Sequence, residues 1–163
     1  MLNRKQIIAV LLAFMLGLIL NDAYSELSFL ERPLSLFQDG IEKDSPGDWI
    51  KEDQIKVYND RVIINLKDAE WASFTDTNSM DPIIDETANA IEIIPKSADD
   101  IHVGDIISYK SDYADGTIIH RIIKIGSDEE GWYCIVKGDN NQSPDPGKIR
   151  FNQIKRVLVA IIY

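Results

Sequence analysis

From about residue 55 onward the chain is a succession of short apolar runs, each bounded by turn residues and none long enough for a helix. This rhythm limits the fold more than any other feature. Ile55-Lys56-Val57-Tyr58, then Asn59-Asp60, then Arg61-Val62-Ile63-Ile64-Asn65-Leu66 reads as a hairpin. β-Branched and aromatic residues there flank a two-residue turn that tolerates positive φ. Runs at 90–94, 105–109, 117–125, 132–137 and 157–162 follow, separated by stretches of Gly, Asp, Asn, Ser and Pro. Strands at this spacing, with no strongly helical stretch after the N-terminus, predict a mainly β, barrel-like domain. Along 117–125, alternation puts His120, Ile122 and Lys124 on one face and Ile119, Arg121, Ile123 and Ile125 on the other.

Ahead of this region, residues 7–20 form an apolar run, preceded by Arg4 and Lys5 and followed by Asn21, Asp22 and Glu26. The positive-inside rule puts the N-terminus in the cytoplasm and the remainder outside. The run covers roughly 21 Å, against about 30 Å for a hydrocarbon core. By length it reads as the h-region of a cleaved signal peptide, with Ala23-Tyr24-Ser25 as an A-x-A-like site. Lengthened by Leu2, Ala23 and Tyr24, it reads instead as a short membrane anchor. Residues 25–54 read as a juxtamembrane linker, with 27–37 as a short amphipathic helix and Ser45-Pro46-Gly47-Asp48 as a turn. The expected organisation is an anchor over 1–24, this linker, and a β-rich domain over 55–163.

Composition removes several function classes. The 163 residues are 45% hydrophobic and 27% charged, enough to build a core. A net charge of −10 repels phosphate backbones, so nucleic acid is not an expected partner. The single cysteine, Cys134, rules out an internal disulfide and a Cys-rich zinc site, and its apolar neighbours mark it as a buried strand residue. The two histidines, without a patterned carboxylate cluster, argue against a catalytic metal. His102, in the turn before Val103-Gly104, reads as a surface residue.

The chemistry-bearing residues lie in loops and at strand ends. Asp76-Thr77-Asn78-Ser79-Met80-Asp81-Pro82 is a polar loop between two β-rich stretches. A serine hydroxyl needs an adjacent base to attack a carbonyl at neutral pH. Histidine, with an ordinary pKa of about 6.5, takes that proton and returns it to the leaving amine. A carboxylate on the far ring nitrogen fixes the tautomer, and Asp139 and Asp145 are the candidates for it.

Four pieces in order carry a resemblance: Ser79-Met80-x-Pro82, Gly104-Asp105-Ile106-Ile107, Ile119-His120-Arg121-Ile122 and Lys137-Gly138-Asp139-Asn140-Asn141. Together they resemble the signal peptidase I family. The histidine points to its archaeal and endoplasmic-reticulum branch, because the bacterial branch has a lysine there. The likeness covers about residues 74–163 and fits the N-terminal apolar segment. It implies a signal-peptidase or LexA-like β-barrel domain behind one transmembrane helix. The implied activity is that of a membrane-anchored serine endopeptidase removing signal peptides from preproteins, with Ser79 as nucleophile and His120 as general base. Asp139 is ranked first as the third member and Asp145 is kept beside it. The oxyanion donors would be the Ser79 backbone N–H and the Thr77 hydroxyl. No cofactor is implied; the partners are preproteins and the lipid bilayer. The location is the cell membrane, with the catalytic domain on the outer face. An enzyme working there favours retention of the anchor.

Asp85-Glu86-Thr87-Ala88-Asn89 lacks the glycine that relatives carry after Ser-Met-x-Pro. That departure motivates a second reading, a non-catalytic anchored β-domain that binds a partner. A LexA-like self-cleaving protease is a third, but it wants a lysine in place of His120 and DNA-reading helices in place of the apolar segment.

Overall fold

A computed structural model describes residues 41–163, together with Gln6, Val10 and residues 13–17. Residues 13–17 are helical, and among the described residues no helix is long and apolar enough to cross a membrane. The rest of the expected anchor and the expected helix at 27–37 lie outside the described residues. Glu42–Tyr163 forms one compact unit.

The unit is mainly β, as the apolar rhythm predicts. Strands β1 (Ile55–Val57) and β2 (Val62–Ile64) make the expected hairpin, with Val57 opposite Val62 and the Tyr58 N–H bonded to the Arg61 carbonyl at 2.8 Å. They form a separate two-stranded ribbon. The main sheet comprises β3 (Glu70–Ser73), β4 (Asn89–Ile93), β5 (Ile106–Tyr109), β6 (Ile118–Asp128), β7 (Gly131–Lys137) and β8 (Ile154–Ile162). Its order is β3-β4-β8-β5-β6-β7, antiparallel throughout. β3 and β7 are its two edges, so the sheet is open and no closed barrel forms among the described residues. β3 is only four residues long, and β1 and β2 pair with each other rather than extending either edge.

Apolar side chains alternate to both faces. Ile107, Tyr109, Ile122, Cys134, Val136 and Val157 pack into one core cluster. Ile106, Ala90 and Leu158 pack into a second, with Met80, Ile84 and Ala88 from the loop after β3. A fully buried Ile or Val contributes about 1.5–3 kcal/mol to such clusters. The regular alternation expected along 117–125 breaks between Ile122 and Lys124, where β6 and β7 shift register. An extra residue in one strand turns the following side chains over. Ile125 thereby packs against the same cluster as Ile122, and Ile123 and Lys124 are exposed.

Residues 42–54 are not a free spacer. Asp105, fully buried, accepts hydrogen bonds from the Gly47 N–H at 2.8 Å, the Trp49 indole N–H at 3.0 Å and the His102 N–H at 2.8 Å. A buried carboxylate requires such donors. Gly104 turns with φ +99°, and a Cβ on it would lie 2.4 Å from the Ser45 carbonyl oxygen. Gly104-Asp105 thus clasps Ser45–Trp49 to the rest of the unit that spans Glu42–Tyr163. A second buried acid, Glu92 on β4, is hydrogen-bonded by the Ser108 hydroxyl. Burial holds its pKa above the ordinary carboxylate range, against the lowering effects of Ser108 and the nearby Arg156.

Candidate functional site

Two loops and two strands build the site. The loop after β3 carries Thr77 and Ser79, and the side chain of Met80 roots it in the second core cluster. Asn78 has φ +55°, in the left-handed region that asparagine enters more readily than most residues. The loop after β7 closes against this segment. The Asn140 N–H bonds the Ser79 carbonyl at 3.0 Å, the Asn140 amide bonds the Asn78 carbonyl at 2.9 Å, and the Asp139 N–H contacts Met80 Sδ at 3.4 Å. Gly138 has no room for a side chain, because a Cβ would stand 2.5 Å from the Ser79 carbonyl oxygen. Gly138-Asp139-Asn140-Asn141 is therefore the seat on which the serine loop rests.

His120 rises from β6 opposite Ile107 on β5, and only 7% of it is exposed. Its Nδ1 lies 2.6 Å from Asp145 Oδ2. With the carboxylate ionised, Nδ1–H is the donor and the neutral ring keeps its lone pair on Nε2. Among the described residues no group hydrogen-bonds Nε2, and no buried side-chain nitrogen or oxygen lacks a partner. Ser79 and His120 line one cleft of about 420 Å³, with Phe74, Ile84 and Ile119 among its walls. Within it the Ser79 hydroxyl bonds the Thr77 hydroxyl at 3.1 Å, and no hydrogen bond links Ser79 to His120 among the described residues. A larger hollow of about 690 Å³ lies elsewhere, bordered by Pro46, Arg121 and Asp139.

The two aspartates part company. Asp139, ranked first from sequence, faces Arg121 and not His120. The guanidinium donates to it through Nε at 2.8 Å and Nη2 at 2.7 Å, and its Nη1 bonds the Gly104 carbonyl at 2.8 Å. Asp145 is the carboxylate at the imidazole. The cause is the pleat of β6, since successive residues point to opposite faces and His120 and Arg121 each claim one acid. The Asp145 N–H is held by the Val136 carbonyl at 2.9 Å.

Tyr109 was not foreseen. It is fully buried on β5, and its hydroxyl bonds Asp145 Oδ2. Burial, reinforced by that carboxylate, raises its pKa well above the ordinary tyrosine value, so the hydroxyl stays protonated and donates to the carboxylate. The readable signal is a tyrosine ending an apolar strand, because a buried hydroxyl must find a partner. His102 is exposed, as expected, and the Cys134 thiol is buried, which pushes its pKa up to about 12. No family model, no curated protein and no solved structure matches the chain.

Proposed function

We propose that the chain is a membrane-anchored serine endopeptidase of the His-type signal peptidase I kind, removing signal peptides from preproteins at the outer face of the cell membrane. One observation carries the reading: a buried imidazole backed by a half-buried carboxylate, lining the same cleft as Ser79. Ser79 Oγ would attack the scissile carbonyl while His120 Nε2 takes its proton, and Asp145 would steady the imidazolium that results. His120 would then hand the proton to the leaving amine. The Ser79 backbone N–H and the Thr77 hydroxyl are the groups near the developing oxyanion. The Ser79–His120 hydrogen bond would form as substrate enters, since such bonds are often loose in free enzymes. In this reading the open sheet corresponds to the LexA-like core and the apolar segment at 7–20 to a retained anchor.

The Ser79–Thr77 bond also favours the second reading, a binding domain whose serine is an ordinary turn residue. The test is a purified full-length chain given a preprotein in detergent. The parent should cleave after small residues, and Ser79→Ala and His120→Ala should not. Cleavage by both variants at the parental rate would dismiss the peptidase and leave the binding domain.

A further inference from the structure

We infer that Tyr109 is a positioning residue that locks the Asp145 carboxylate against His120, an assignment that rests on the peptidase reading for its consequence but not for its geometry. Tyr109 and His120 stand on neighbouring strands. Ile107 is opposite His120 and Tyr109 is opposite Ile118, so both side chains leave the same face of the sheet. Both end on one atom, Asp145 Oδ2. Asp145 itself comes from a loop and retains some contact with solvent. A loop carboxylate held by one imidazole is free to rotate about its last bond and turn either oxygen to water. A second donor from a wholly buried, core-packed ring removes that freedom. Oδ2 then faces Nδ1, the proton stays on Nδ1, and the lone pair stays on Nε2.

A phenylalanine would fill the same volume in the core. The hydroxyl is therefore what the site uses, and removing it should leave packing intact. The neighbouring charge on β6 does not substitute for it: Arg121 points to the opposite face and is occupied by Asp139 and Gly104.

The experiment uses the full-length chain in detergent, labelled with ¹⁵N-histidine, as parent, Tyr109→Phe, Asp145→Asn and the double variant. The readouts are the His120 ring ¹⁵N signals with the low-field Nδ1–H proton, and kcat and KM for preprotein cleavage. Tyr109→Phe should lower kcat roughly tenfold at unchanged KM and exchange-broaden the Nδ1–H signal. In the Asp145→Asn background the same substitution should change neither. A parental Nδ1–H signal and kcat in Tyr109→Phe would overturn the inference. So would an equal loss with and without the Asp145 carboxylate, which would mark Tyr109 as packing alone. If the parent shows no Ser79-dependent cleavage, the peptidase reading fails, and the imidazole signals still decide whether Tyr109 holds the pair.

Discussion

Replacing Asp139 by asparagine should cost stability and spare chemistry. The Arg121–Asp139 pair makes two charge-assisted hydrogen bonds of 2.8 and 2.7 Å, and its side chains are 21% and 19% exposed. Breaking a fully buried pair costs about 3–5 kcal/mol, and an exposed pair contributes about 0–1 kcal/mol. A pair one-fifth exposed falls between these limits, so Asp139→Asn should cost about 2 kcal/mol. With a urea dependence of about 2 kcal/mol per molar, the unfolding midpoint drops by about 1 M. The folded variant should retain cleavage within a few-fold of the parent. Asp145→Asn should do the reverse, losing on the order of 10²–10⁴ in kcat/KM with a smaller midpoint shift. Urea denaturation and preprotein cleavage on the same full-length preparations check both. An Asp139→Asn chain with a parental midpoint and a loss of cleavage on the Asp145 scale would refute the division of labour between the two acids.

Gly138→Ala should press a methyl group into the Ser79 carbonyl and lower kcat/KM by at least roughly tenfold, because small displacements of reacting groups are costly; full activity would show that the loop yields freely. Glu92 offers a pH test. Its folded pKa is raised by burial, so its contribution to stability is fully present below the ordinary value of 4.5 and is lost as pH rises through the raised value. Glu92→Gln should therefore match the parent in thermal melts near pH 4 and exceed it at pH 8, and identical pH profiles for the two chains would contradict this.

The strands were legible because β-branched runs between turn residues leave few other solutions. β3 was not, since Glu70-Trp71-Ala72-Ser73 has neither an apolar run nor clean alternation and is fixed by pairing with β4. The register shift in β6 was hidden for the same reason: both Ile123 and Ile125 read as apolar, and only the pairing with β7 decides which is buried. At the site, the Ser79 and His120 segments could be singled out by their residue types. The choice between Asp139 and Asp145 depended on which face of β6 each loop residue reaches, which no local pattern states. Arg121 beside His120 was the available hint, because a half-buried guanidinium needs an acid of its own. Asp105 lay in a recognised motif, yet its task of holding a backbone 58 residues away in sequence was invisible until the chain was folded.

That clasp also decides how the domain bears load. Tension entering along the chain from residue 42 meets the Gly47 and Trp49 bonds to Asp105 before it reaches any strand of the main sheet. The force is delivered to the start of β5, an interior strand bonded on both sides by β6 and β8. An edge strand would peel one hydrogen bond at a time, whereas an interior strand is held along two ladders at once. The incoming chain is thus tied beside an interior strand and not to either edge of the sheet.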